Sequence, residues 1–281
     1  MKRVLIVGLG LIGGSIGLAL RRSLPGVEIV GIDRESVVFS QLGRQLLTRA
    51  VAIESLKDVS SQAEDADLVV LTMPVSEIIN RVCDWLGAGV PVTDSGSTKC
   101  VIVEAAQESS NRDWFVPGHP MAGRERGGLG SSDPDLFMRR RWIVCPQSSR
   151  DEARIAAQTL VSQVGAIWTE MTPAEHDSAV ALTSHVPQII ASWLAAAADD
   201  RTWAAAGPAF ADMTRIAGGS EAIWKDIFLT NAAAVSEIVS STAADLAEIA
   251  AELRLSQPKL DLVLELLGRA RNQAAKGTNR Q

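Results

Sequence analysis

The spacing of apolar positions changes once along the chain, near residue 171. Before that point short apolar runs alternate with stretches of helical period. The runs RVLIVG (3–8), VEIVGID (27–33), DADLVVLTMP (65–74) and VPVTDSGS (90–97) are bounded by Gly, Pro or Asp and predict buried strands. Between them, residues 11–24 place Ile12, Ile16 and Leu20 on one helical face, and 75–86 and 99–109 predict further helices. Trp114-Phe115-Val116, RWIVCP (141–146) and GAIWTEM (165–171) predict three more short strands, with a helix over 150–164. Residues 124–140 are rich in Gly, Ser, Asp and Arg, the composition of a long loop that covers a site. The alternation as a whole predicts an α/β domain with a parallel sheet.

Beyond residue 171 the strand patterns stop. Thr172-Pro173-Ala174-Glu175 is a capping box with proline at the first helical position, a helix start. Leu182, Val186, Ile189, Ile190 and Trp193 then recur at i, i+4, i+7, i+8 and i+11, which predicts one apolar face of a helix. Pro187 removes a backbone donor inside that helix, so a bend is expected at Ser184-His185. A second series, Val235, Val239, Leu246, Ile249 and Leu253, predicts one helical stretch over 221–253. It is long and Ala-rich for a lone small domain and points to packing against a second copy of the chain. The polar tail from Gln273 is expected to fray. The pattern divides the chain into an α/β domain, 1–171, and an all-α dimerisation domain, 172–281.

Between the first strand and the first helix lies Gly8-Leu9-Gly10-Leu11-Ile12-Gly13, and Asp33 ends the second strand twenty residues after Gly13. Strand, glycine turn, helix, strand and acid at this spacing predict a dinucleotide-binding domain of Rossmann type. Gly8 permits the tight turn, Gly10 lets backbone approach a pyrophosphate, and Gly13 lets helix and strand pack closely. Leu11 and Ile12 begin the helix whose N–H groups and dipole face the anion. Asp33 would bond a ribose 2′-hydroxyl and repel a 2′-phosphate, which favours NAD, while Arg34 beside it leaves NADP open. Thr72-Met73-Pro74 and Asp94-Ser95-Gly96-Ser97 fall at carboxyl ends of strands, so Thr72, Pro74 and Ser97 are cofactor candidates.

Charge and cysteine usage narrow the partners. A net charge of −6 excludes a general attraction to nucleic acid or anionic lipid, so an anionic small molecule must be met by local arginines. Cys83, Cys100 and Cys145 are odd in number and lack metal spacing, which predicts neither a disulfide framework nor a metal site and fits a reducing cytoplasm. No targeting segment or membrane span is expected.

The chain has only three histidines, and one is fixed in VPGHPMAG (116–123), where Pro117 and Pro120 frame His119 at a strand end. A neutral imidazole there is a candidate general base, and an ordinary pKa near 6.5 predicts an acid limb at about pH 6 to 7. His185 stands at the expected proline bend. Asp212 and Arg215, at i, i+3 on a helix end, form a pair that can hold a guanidinium for a substrate carboxylate.

Taken in order, VGLGLIGGS (7–15), DSGSTK (94–99), GHPMAGRE (118–125), SHVP (184–187) and DMTRIA (212–217) resemble the prephenate and arogenate dehydrogenases of tyrosine biosynthesis. The resemblance spans nearly the whole chain. It implies a helical domain through which two subunits intertwine, and NAD-dependent oxidative decarboxylation of a cyclohexadienol. By that resemblance His119 is the catalytic group bonded to the substrate's 4-hydroxyl, Ser97 lies by that hydroxyl and the nicotinamide, and His185 lies near the substrate. Arg215 would bind a carboxylate with Asp212 and Glu125 orienting it, and Trp224 matches a position that reaches the neighbouring subunit's site. Gln188 stands where many prephenate-using members have a histidine, which leaves keto (prephenate) and amino (arogenate) substrates open. A β-hydroxyacid dehydrogenase would need a catalytic lysine, for which Lys225 is the candidate, but Lys225 lies in the tyrosine-pathway motif context. A regulatory protein that senses NAD without chemistry would leave GHPMAG and TRIA unexplained.

Overall fold

The computed structural model describes residues 1–55, 59–124 and 126–278. The chain packs as two compact units, Met1–Ala232 and Ala233–Gln281.

The first unit is built on a parallel sheet of β1 (Arg3–Val7), β2 (Glu28–Asp33), β3 (Arg49–Ala52), β4 (Leu68–Leu71), β5 (Val92–Asp94) and β6 (Phe115–Val116), in the order β3-β2-β1-β4-β5-β6. The strands run out in both directions from β1 and β4, so the carboxyl ends of these two flank the crevice where such sheets take ligands. Helix α1 (Leu11–Ser23) follows β1, short α2 (Glu35–Val38) and α3 (Gln41–Leu46) follow β2, and α4 (Val59–Ala63) precedes β4. Helices α5 (Val75–Leu86) and α6 (Cys100–Ala106) follow β4 and β5. Strand side chains alternate between two buried clusters, Val4 and Ile6 with Ile29 on one face, Leu5 and Val7 with Val30 and Ile32 on the other. Burial on both faces is why these strands read as continuous apolar runs. Each such side chain contributes about 1.5–3 kcal/mol.

The later strands do not simply extend this sheet. β6 closes it, while β7 (Gly118–Pro120), β8 (Arg141–Val144) and β9 (Ile167–Glu170) form a second sheet, β7 antiparallel and β9 parallel to β8. Pro117 has no N–H to give to a ladder, and the next N–H, of Gly118, turns to the Asp94 carboxylate instead. α7 (Asp151–Gln163) connects β8 to β9.

The described residues of the expected long loop over 124–140 carry only turns. It holds a 3-10 turn, Leu129–Ser131, pressed on α1 so closely that a Cβ at Gly14 would overlap Ser132. Asp133 N–H donates to Ser15 Oγ at 2.9 Å, Arg22 pairs with Asp135 at 2.8 Å, and Leu136 and Phe137 enter the core. This segment is pinned to the helix that follows the glycine turn, and its Gly128, Leu129 and Gly130 line a cavity beside Gly10 and Asp33.

α8 (Pro173–Val180) starts at the capping box, where Thr172 N–H donates to Glu175 and Glu175 N–H donates back to Thr172 Oγ1. At Ser184-His185, where the sequence predicts a bend, one π turn, Ala181–His185, leads into α9 (Val186–Ala197). The wider turn absorbs the residue whose ladder Pro187 interrupts, and its extra residue rotates the following face by roughly 100°. Along the expected apolar face Val186 is buried and Ile189 and Ile190 are half-buried. Leu182 and Trp193 are 61% and 67% exposed, whereas Ala181, His185, Val186, Gln188 and Ala191 are buried. The run Pro173–Ala197 reaches a mean hydropathy of 1.2, enough by length and composition to cross a membrane, although the sequence showed no such span. Its buried face nevertheless carries His176, Asp177, His185 and Gln188.

Short α10 (Asp200–Ala204), α11 (Pro208–Thr214), a 3-10 turn Arg215–Gly218 and α12 (Glu221–Thr230) complete the first unit. The single helix predicted over 221–253 is interrupted at Asn231, whose φ of −130° and ψ of 29° leave the helical region. Its side chain bonds across the fold instead, Nδ2 donating to the Asp177 carbonyl at 2.8 Å. The second unit comprises α13 (Ala232–Leu253) and α14 (Asp261–Thr278), so residues 273–278 of the expected frayed tail are helical. Leu246, Leu253, Leu264 and Leu267 on these helices are exposed.

Candidate active site

At the first strand end the three motif glycines serve three purposes. Gly8 has φ +94°, and a Cβ there would lie 2.8 Å from Thr72 O. A Cβ at Gly13 would overlap the Gly8 carbonyl oxygen, so helix and turn touch backbone to backbone. No atom lies within 4 Å of a Cβ built at Gly10, which leaves the N-terminus of α1 open to an anion. Gly10 is the N-cap, buried Leu11 the first helical residue and half-buried Ile12 the second. Thr72 Oγ1 bonds the Val7 and Gly8 carbonyls, so it secures the turn, and Pro74 caps α5. The Asp33 carboxylate accepts N–H from Leu9 at 2.5 Å and Arg34 at 2.6 Å, with Arg34 Nε 3.7 Å away. A cavity of about 320 Å³ opens beside Gly10, Asp33, Arg34, Ser36 and Gly128. The open helix end and the adjoining carboxylate fit a dinucleotide's pyrophosphate and ribose.

Behind the end of β5, Asp94 and Lys99 form a wholly buried ion pair. Asp94 accepts N–H from Gly96 at 2.7 Å and Gly118 at 2.9 Å, and Lys99 Nζ also donates to Gly118 O at 2.8 Å. Both backbone groups of Gly118 are thus gripped. A Cβ there would meet Trp142 Nε1 at 2.7 Å and Asp94 O at 2.9 Å, so only glycine lets the chain come this close. This grip fixes the backbone that carries His119.

His119 Nδ1 lies 2.8 Å from His176 Nε2, and His176 Nδ1 lies 2.7 Å from Asp177 Oδ1. The Asp177 carboxylate also accepts N–H from Lys99 at 2.7 Å and Cys100 at 2.9 Å, capping α6 from the helical segment. Asn231 Nδ2 donates to the Asp177 carbonyl at 2.8 Å and lies 3.2 Å from His185 Nδ1. Burial pushes all three imidazoles down in pKa. His119 falls well below 6.5, aided by the neighbouring His176, Lys99 and His185. His176 is lowered by burial although its Asp177 bond opposes this, and His185 is lowered to about 4. The acid limb expected at about pH 6 to 7 therefore moves lower for the free protein, because the charged imidazole is the form that burial and Lys99 disfavour.

The remaining sequence candidates are placed as follows. Ser97 is half-buried on the loop between β5 and α6. Arg215 and Asp212 are exposed, Arg215 opening the 3-10 turn that packs on α9 and Asp212 preceding it on α11. Gln188 is buried, with Nε2 3.3 Å from Ser192 Oγ. Trp224 sits against His185 of its own chain, ring centroids 6.1 Å apart, and stacks on Phe228. Glu125 lies outside the described residues. Sequence reasoning missed Asp94, Lys99, His176, Asp177 and Asn231 as members of this cluster. The available signal was the His-Asp pair just after the capping box in a chain with three histidines.

Two family models match nearly end to end. Residues 16–169 match the nucleotide-binding domain of prephenate dehydrogenase, and residues 172–268 match its dimerization domain. The chain belongs to the prephenate dehydrogenase family. Among relatives of this family, the prephenate dehydrogenase of Lactococcus lactis is 32% identical over 267 residues, covering 90% of this chain and 72% of its own. The crystal structure of prephenate dehydrogenase from A. aeolicus, in complex with hydroxyphenyl propionate and NAD+, superposes with a TM-score of 0.81 at 26% identity, over 98% of both chains. Synechocystis arogenate dehydrogenase superposes with a TM-score of 0.77 at 26% identity, over 97% of this chain and all of the other. Membership in the prephenate dehydrogenase family makes the chain an oxidoreductase with a nucleotide-binding and a dimerization region.

Proposed function

We propose that this protein is an NAD-dependent prephenate dehydrogenase of tyrosine biosynthesis, converting prephenate to 4-hydroxyphenylpyruvate and CO2, with arogenate as the alternative substrate. The observation that carries this reading is His119, neutral and held at 2.8 Å by His176 on a strand leaving the nucleotide-binding sheet. NAD, when bound, takes the hydride from C4 of the cyclohexadienol. His119 accepts the hydroxyl proton as the C–O bond gains carbonyl character. The ring C1–carboxylate bond then breaks, its electron pair completes the aromatic ring, and the phenol oxygen recovers the proton. Prephenate and NAD+ thus yield 4-hydroxyphenylpyruvate, CO2 and NADH, with no proton left over. Arg215 offers a fork for a substrate carboxylate, with Asp212 and Glu125 orienting it, and Ser97, His185 and Trp224 line the substrate. The buried amide of Gln188 can face either a keto or an amino side chain. A cytoplasmic location agrees with the free Cys83, Cys100 and Cys145.

The experiment is a steady-state comparison of prephenate and arogenate, each with NAD and NADP, read by NADH or NADPH absorbance. Turnover of neither substrate would refute the reading. For the cofactor, kcat/KM with NAD should exceed that with NADP at least roughly tenfold, because Asp33 repels a 2′-phosphate. Asp33→Ser should narrow the gap. It should also weaken use of both cofactors, since the Leu9 N–H loses its carboxylate acceptor. Equal native use of both would overturn the assignment and point to Arg34.

We also propose that 1–171 is the cofactor domain and 172–281 the helical substrate and dimerisation domain of a homodimer. The exposed Leu182, Trp193, Leu246, Leu253 and Leu264 support this, being apolar surface that a second copy can bury. Sedimentation of the full chain at micromolar concentration should give a dimer, and a persistent monomer would refute it.

A further inference from the structure

All three histidines of the chain lie on one line of buried hydrogen bonds, His119–His176–Asp177–Asn231–His185. We propose that Asp177 and Asn231 lock these imidazoles in set tautomers, so that His119 has a bare Nε2 and His185 an Nε2–H. His176, Asp177 and Asn231 are then positioning residues. The consequence for catalysis rests on the function proposed above; the tautomers themselves do not.

The polarity follows from groups that have no choice of role. Burial would push the Asp177 carboxyl up, but its bonds from His176, Cys100 and Lys99 outweigh this and hold it below the usual range. It is therefore an ionised acceptor, and the hydrogen between it and His176 sits on Nδ1 of the histidine. A neutral His176 has a bare Nε2, which can only accept. The hydrogen in the 2.8 Å contact accordingly belongs to His119 Nδ1, and the neutral ring of His119 keeps a lone pair on Nε2.

At the other end the Asp177 carbonyl oxygen can only accept. The atom 2.8 Å from it is thus the amide nitrogen of Asn231, since its oxygen there would be repelled. The second hydrogen on that nitrogen points to His185 Nδ1 at 3.2 Å, making this nitrogen an acceptor. Neutral at pH 7, His185 carries its proton on Nε2.

The charged and titratable neighbours agree with this arrangement. His119 faces Lys99, His176 and His185; His176 faces Asp177, Lys99 and Asp94; His185 faces Asp177 and His176. The two outer histidines are left with opposite polarity, one able to take a hydroxyl proton and the other able to donate to a substrate oxygen. Reversing the line would put a hydrogen on His119 Nε2 and leave no base there.

Long-range 1H–15N spectra of the full chain labelled with 15N-histidine read these tautomers directly, because only three rings contribute. At pH 7 two rings should show a protonated Nδ1 with a bare Nε2, and one the reverse. That third set should disappear in His185→Gln. Three rings of the Nε2–H form, tautomer averaging, or an imidazolium at pH 7 would overturn the proposal. In Asn231→Asp the new carboxylate should draw a proton to His185 Nδ1 and raise its titration midpoint by more than about one pH unit, while His119 and His176 keep their pattern. Should that variant not fold, Asn231→Leu removes the donor at similar volume and should leave His185 populating both tautomers. An unchanged His185 ring in whichever variant folds would refute the role of Asn231. Ring nitrogens, not turnover, are read, so a failed substrate assay would sink the proposed function and leave this result standing, and the reverse.

Discussion

Replacing His119 by asparagine is expected to lower kcat by roughly 10²–10⁴-fold, the usual worth of a positioned general base, while KM changes far less. The bond from the substrate hydroxyl to the imidazole strengthens only as hydride leaves and charge develops on oxygen, so its loss falls on the transition state. The pH profile adds a second readout. Burial, His176, Lys99 and His185 hold the His119 pKa well below 6.5, so native kcat/KM should stay level through neutral pH and fall only at lower pH. The sign is fixed by the neutral ring being the active form: activity is lost as the pH drops through the folded pKa. That limb should vanish in His119→Asn and persist in His185→Asn. Near-native turnover of His119→Asn, or a limb that disappears only with His185→Asn, would place the base on the helical segment.

Arg215→Lys is expected to reduce kcat/KM for the carboxylate substrate by roughly 10- to 100-fold, the equivalent of 1.5–3 kcal/mol for a charge-assisted bond. Positive charge is retained, but a point ammonium cannot reproduce two parallel N–H bonds to one carboxylate. Arg215 is exposed and opens a short turn packed on α9, the helix that carries buried Gln188. The affinity for NAD, measured separately by fluorescence quenching, should hardly change. An unaltered KM in the lysine variant would show that Arg215 serves the fold alone.

Much of the nucleotide-binding half was legible because its signals are local. The continuous apolar runs in 3–8 and 27–33 report burial on both faces of the sheet, and the Gly8–Gly13 spacing reports backbone contacts that no side chain permits. The helix at Thr172 was equally plain, since its capping box lies within four consecutive residues. His119 could be singled out as the framed histidine, and SHVP and TRIA as motifs, without any tertiary knowledge.

The sequence by itself therefore determined the elements whose stabilising contacts fall within a turn or a strand: the βαβ start, the glycine loop, the capping box and the change to helices near residue 171. Tertiary structure decided whatever depends on partners far apart in the chain. The strand at Gly118 left the first sheet because Asp94 and Lys99 grip its backbone from 24 and 19 residues away. The helix broke at Asn231 where its side chain meets Asp177, 54 residues earlier, and within the π turn polar His185 is buried while Leu182 is exposed. His176, which reads as one more helical residue, bonds His119 across 57 positions. Periodicity records which face of an element is apolar, but it carries no information on which polar side chains meet across the fold, and the roles of these buried groups are set by that meeting.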